Sequence, residues 1–126
     1  MYVQQDVLAD CFSAIKNAET IGKSVCFSVV SSTVKNVLEV IKEKKYIEDY
    51  ETDGKRFKIK LNHRINDCNV IKPRFSFKKD DVERWEKRFL PATGMGILIV
   101  STPKGVMTHE NALKEGVGGR LLGFVY

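Results

Sequence analysis

The stretch from Gly94 to Tyr126, GMGILIVSTPKGVMTHENALKEGVGGRLLGFVY, limits most sharply what this chain can fold into. Ile97-Leu98-Ile99-Val100 is a short apolar run, rich in branched residues and led by glycine, so it reads as a buried strand. The run ends at Ser101-Thr102-Pro103-Lys104-Gly105, which offers two hydroxyls, a rigid proline, a cation and a glycine in one tight loop. Thr108 then caps a short helix and Gly116 ends it. Gly118-Gly119 turn the chain into a last strand, Leu121 to Tyr126. Two loops of small residues therefore sit at the ends of two strands. Small residues let backbone and hydroxyls come close to a partner. A surface meets sugar and phosphate in this way, where long side chains would hold the backbone off.

Upstream, two helical stripes are legible. Val7, Leu8, Cys11 and Ile15 recur at helical spacing behind a cap at Asp6, and the helix ends near Asn17 or Ala18. Gly22 breaks it, and Val25 to Val30 read as a strand. Ser31-Ser32 cap a second helix that carries Val34, Val37, Leu38 and Ile41 on one side. A strand from Tyr46 to Glu51, a turn at Asp53-Gly54 and a returning strand follow. In the returning strand Arg56, Lys58 and Lys60 alternate with Phe57, Ile59 and Leu61, which puts cations on one face and apolar groups on the other. The fold class is α+β in two small lobes. Residues 1–65 form a helix-strand-helix-hairpin unit, and residues 66–126 form a mostly β unit with short helices. In the second lobe Val70 to Phe77 reads as one extended strand, with Pro73 favouring an edge. Asp80 opens a short helix whose apolar stripe is Val82, Trp85 and Phe89.

The chain has 126 residues, which suits one compact unit or two small lobes sharing an interface. Its net charge of +5 is compatible with nucleic acid, an anionic surface or acidic proteins, and selects none of them. Three cysteines, none in a Cys-x-x-Cys pair, argue against a disulfide framework and for buried thiols. No apolar run is long enough to cross a bilayer, and the N-terminus shows no secretory signal. A reduced, cytoplasmic protein is expected. His63 and His109 are too far apart in sequence to suggest a metal site. Ser101 with His109 can be imagined as a nucleophile-base pairing, but no strand-to-helix nucleophile elbow is present. Gly118-Gly119 lead into a strand, so they match neither a P-loop nor a dinucleotide fingerprint.

In the order Gly-led strand, Ser-Thr turn with Lys-Gly, Met107-Thr108, helix, Gly-Gly and closing aromatic strand, the last third resembles the signature of small-subunit ribosomal protein eight, the universal S-eight family. Ala14-Ile15-Lys16-Asn17-Ala18 is similar to the family's first helix, and Lys45-Tyr46-Ile47 to the end of its second. Asn66 to Phe75, NDCNVIKPRF, is similar to the archaeal and eukaryotic branch. Pro103 stands where the bacterial pattern has its second serine. The resemblance implies a primary binder of the central domain of small-subunit ribosomal RNA that helps assemble the platform, with no reaction and no cofactor. It implies an RNA surface of Ser101, Thr102, Gly105, Gly118 and Gly119. Lys104, Arg120, Lys72 and Arg74 would neutralise phosphates, with Lys72 and Arg74 on one strand face, and Asn17 and Lys35 would add a contact from the first lobe. Neighbouring small-subunit proteins are further partners, and some members bind their own operon message. The free protein is expected to be a monomer. Two alternatives stay open: a protein-interaction module that uses the C-terminal strand as a sheet edge, and a small hydrolase that uses Ser101.

Overall fold

The computed structural model describes residues 7–71, 74–92 and 95–126. Asp6, Lys72, Pro73 and Gly94, to which the sequence assigns a cap, a phosphate contact, an edge position and a strand boundary, lie outside the described residues.

Helix α1 (Val7–Thr20) buries Leu8, Cys11, Phe12, Ile15 and Ala18 along one stripe. It runs past the expected end, and Gly22 then turns the chain at φ 76°. Strand β1 (Val25–Val29) leads to α2 (Ser32–Glu43), which buries Val34, Val37, Leu38, Val40 and Ile41. Ser31 holds the N-cap position, but its side chain makes no capping bond. Strands β2 (Ile47–Asp53) and β3 (Arg56–Leu61) form the hairpin, with Gly54 at φ 67° in its turn. The order β1-β3-β2 puts the last strand in the centre. On the open face Glu51 opposes Lys58 and Asp53 opposes Arg56 in register. The cationic stripe read from the sequence thus stands opposite carboxylates of its own sheet.

The second sheet joins β4 (Cys68–Val70), β5 (Ser76–Phe77), β6 (Ile97–Thr102), β7 (Gly105–Thr108) and β8 (Gly119–Val125). The order is β4-β8-β6-β7, with β5 also on β8. Two expectations are corrected here. The single strand over Val70 to Phe77 is two short ones, each paired with β8. Pro73, which has no N–H to give a ladder, falls between them in the sequence. The C-terminal strand is no edge, because β8 has β4 and β5 on one side and β6 on the other. Its apolar residues explain the position: Leu121 packs in one core and Leu122 and Val125 in another, so both faces need cover.

Strand β6 is the hinge of that arrangement. Ile97 and Ile99 join the core of α1, α2 and the first sheet, while Leu98 and Val100 face a second core. The second core lies under α3 (Val82–Phe89), reached through a single 3-10 turn at Lys79–Asp81, and α4 (His109–Glu115). Trp85 is buried in it and stacks on Phe75 with ring centroids 4.9 Å apart, so it serves packing rather than base stacking. The helices of the first half also touch the second sheet: α1 packs on β1 and β4, and α2 on β2 and β7. A Cβ at Gly123 would meet Phe12 Cε2 at 2.8 Å, so glycine there lets the α1 ring lie against the sheet. The Lys16 ammonium reaches Asp67 Oδ1 at 2.9 Å, and Asp67 and Tyr126 exchange two backbone hydrogen bonds.

Candidate nucleic-acid interface

The β6–β7 turn differs from the loop read in the sequence. Ser101 and Thr102 belong to β6, Gly105 opens β7, and Pro103-Lys104 alone form the turn between them. Successive residues of a strand point to opposite faces, so the two hydroxyls part company. Thr102 turns inward. Its Oγ1 donates to the Gly105 carbonyl at 2.9 Å and accepts from the Lys104 N–H at 3.1 Å, which builds the turn. Ser101 turns outward and is exposed. Gly105, at φ 119°, is glycine because an L side chain rarely adopts that backbone.

Register then assembles a row that sequence spacing hides. Ser76 pairs with Arg120, Arg120 with Ser101, and Ser101 with Val106. Ser76, Arg120 and Ser101 are all exposed, so two hydroxyls flank a guanidinium across three strands. Among the described residues no ion pair holds Arg120. The glycines beside the row are set by internal packing rather than by a partner's approach. A Cβ at Gly119 would meet the Ser101 carbonyl oxygen at 2.0 Å, and one at Gly118 the Phe77 carbonyl oxygen at 2.6 Å. Gly118 also lies against Lys78, whose Cα is 3.3 Å from the same imagined Cβ. Ser76 and the exposed Lys78 are therefore neighbours of the site that the sequence did not single out. Only the register of β5 on β8 brings them there.

The remaining cations divide. Lys104 is exposed at the turn but reaches Glu115 Oε2 at 3.0 Å, so its charge is partly matched. Arg74 is exposed and lies outside both β4 and β5, and its expected partner on one strand face, Lys72, lies outside the described residues. Lys35 is exposed in the first turn of α2, the helix that packs on β7. Asn17 is exposed on α1, and no hydrogen bond or ion pair among the described residues joins its side chain to the sheet end. Lys16, next to it, is committed to Asp67.

His109 has a different task from the one a catalytic pairing would need. It is buried, and its Nδ1 accepts the Leu98 N–H at 3.0 Å where β7 has already left the ladder. That bond fixes the proton on Nε2, which faces Glu86 Oε1 at 3.5 Å. Ser101 lies three residues further along β6, about 10 Å away, on the opposite face. The two form no dyad. Among the described residues no group of His, Cys, Asp or Glu has the makings of a metal site.

The chain belongs to the ribosomal protein S8 family, whose model matches residues 6–126. It is 48% identical to the small ribosomal subunit protein uS8 of Methanococcoides burtonii, over an alignment of 126 residues that covers 96% of this chain and 97% of that protein. The archaeal branch expected from residues 66–75 is thereby met. Membership makes the protein a structural constituent of the small ribosomal subunit and not an enzyme.

Proposed function

We propose that the protein binds small-subunit ribosomal RNA directly, through the end of the second sheet, and helps organise the central domain and platform. The observation that carries this reading is the exposed row Ser76–Arg120–Ser101, two hydroxyls about an unpaired guanidinium. An RNA duplex offers 2′-hydroxyls and phosphates in a shallow groove, and compact donors beside a cation suit that surface. Arg120, Lys78 and Arg74 supply phosphate contacts at that end, with Lys104 adding the charge that Glu115 leaves it. Lys72 joins them by its place in the chain, and Lys35 and Asn17 add a weaker contact from the first half. Thr102, Gly118 and Gly119 contribute by shaping the turn and the strand crossing. The free protein is a monomer that meets other small-subunit proteins in the assembled particle. The same surface would take an operon message that imitates the ribosomal helix.

The test pairs affinity with stability. Wild type should prefer a central-domain RNA fragment to an unrelated duplex of equal length in a competition filter assay. Ser101→Ala should weaken that binding about five- to a hundred-fold, from the cost of a lost or orphaned hydrogen bond. Its melting temperature should hold, because no bond within the described chain uses the hydroxyl. Equal affinity for both RNAs, or wild-type affinity in the variant, would defeat the reading.

A further inference from the structure

The first sheet leaves β1 open. In the order β1-β3-β2 it has β3 on one side and, among the described residues, no strand on the other. The Leu61 N–H donates to the Ser24 carbonyl at 2.8 Å, and in an antiparallel ladder every second residue bonds inward. Ser24, Cys26 and Ser28 therefore bond toward β3, and Val25, Phe27 and Val29 turn their N–H and C=O groups outward. Among the described residues no turn or loop bonds to them. Edge strands are normally guarded by charge or proline. The other edge of this sheet, β2, has four carboxylates, Glu48, Asp49, Glu51 and Asp53. Strand β1, VCFSV, has neither charge nor proline. Six large apolar side chains are exposed among the described residues, and three of them, Phe27, Val29 and Val30, lie together here.

A groove of about 260 Å³ lies at this strand. Phe27, Val29 and Arg56 line it from the open face of the sheet, and Ser28 and Asp10 from the side of α1. Side chains from both faces can line one groove only around the strand's free edge or its end. Arg56 stands opposite Asp53 in register, yet among the described residues no ion pair holds it. Its guanidinium lies 3.8 Å from the Phe27 ring centroid instead. A flat guanidinium on a ring keeps its N–H edges for an anion. The exposed Lys55 lines the groove beside it. An RNA phosphate would suit the cations and the outward N–H groups, but it would also meet the outward carbonyls and the carboxylates of β2. The β1 of a second copy would match the ladder but brings no carboxylate to Lys55 and Arg56. An extended polypeptide with an acidic residue answers each feature. Its main chain alternates donors and acceptors, its apolar side chains cover Phe27 and Val29, and its carboxylate meets Arg56. We propose that β1 is the docking edge for an extended segment of another small-subunit protein, which adds a fourth strand to the first sheet and brings an acidic residue to Lys55 and Arg56. The proposal rests on the reading that the protein meets other small-subunit proteins in the assembled particle.

The test reads the edge in the free protein and in small subunits that contain it. Hydrogen exchange needs no variant. The Phe27 and Val29 amides should exchange fast in the free protein and slow by about a hundredfold or more in the subunit. Protection already present in the free protein, or fast exchange in the subunit, overturns the proposal. The chemistry of the partner is read with Val29→Cys, labelled at its single exposed thiol with benzophenone maleimide and reconstituted into subunits from purified ribosomal RNA and proteins. Irradiation should give a crosslink to a protein segment with a carboxylate at the crosslinked residue or about two positions from it, on the same strand face. A crosslink to RNA, to a second copy of this chain or to a segment without that carboxylate overturns the proposal, as does no crosslink. A protein that assembles into the subunit with this edge open keeps the function proposed above and loses only the interface. One that does not assemble loses both.

Discussion

A methyl group added at Gly119 would lie 2.0 Å from the Ser101 carbonyl oxygen and 3.2 Å from Thr102 Cα, both backbone atoms that cannot swing aside. Gly119→Ala should therefore cost about 1–3 kcal/mol of stability through overpacking. It should also lower RNA affinity by displacing Ser101, and urea melts and filter binding on one preparation check both. Gly105 is glycine for another reason: nothing lies within 4 Å of its imagined Cβ, and only its φ of 119° excludes other residues. The sequence shows both glycines alike, because neither a left-handed φ nor a neighbour's carbonyl is written in local composition. The thiols were more legible. Burial pushes the Cys11 thiol up to about 11, and the Cys26 and Cys68 thiols up to about 12. None of the three should react with an aromatic disulfide reagent at about pH 8 in the native state, and all should react in denaturant. A burst of native reactivity would contradict the burial. The sign for stability follows: these folded values lie above the unfolded 9.0, so the thiols leave stability intact below that value and erode it as pH rises toward the folded ones.

Helix α4 has only seven residues and depends on its ends. The Thr108 hydroxyl accepts the Asn111 N–H at 3.2 Å, and Gly116 closes the other end at φ 69°. Thr108→Ala should cost about 1 kcal/mol and speed amide exchange across α4. Ser31→Ala should cost less than about 0.5 kcal/mol, because Ser31 occupies the N-cap of α2 without making the bond. The contrast separates what a cap residue permits from what it does. Both helical stripes of the first half and the run Ile97–Val100 were legible because burial imposes a period there. Strand β7 was not, because its four residues, Gly105–Thr108, read as the exit of a loop and a helix cap. Nor was the interior position of β8, which depends on partners far away in sequence. The site suffered likewise: Ser101 and Arg120 were named singly, but their adjacency, and Ser76 beside them, exist only through register.

Across the whole molecule, Lys16 and Asp67 tie α1 to the start of the second sheet. The hydrogen bond from Lys16 holds the Asp67 carboxyl below the usual carboxylate range and raises the Lys16 ammonium above its own. A lowered folded value contributes stability above the unfolded carboxylate pKa of about 3.9, and that contribution is lost as pH falls through the folded one. Asp67→Asn should therefore be less stable than wild type near neutrality, and the difference should close as pH drops from about 7 to about 2. Urea melts at each pH measure it, and a gap that persists in acid would assign the residue a role other than its charge. The placing of β8 has a consequence in time. It is the last strand of its sheet to leave the translating ribosome, yet β4, β5 and β6 all hydrogen-bond to it. A nascent chain that stops short of residue 119 holds Ser76 and Ser101 but has no strand to align them. The row Ser76–Arg120–Ser101 is therefore not assembled until β8 has left the ribosome, and a copy that lacks β8 has no such row to offer a partner.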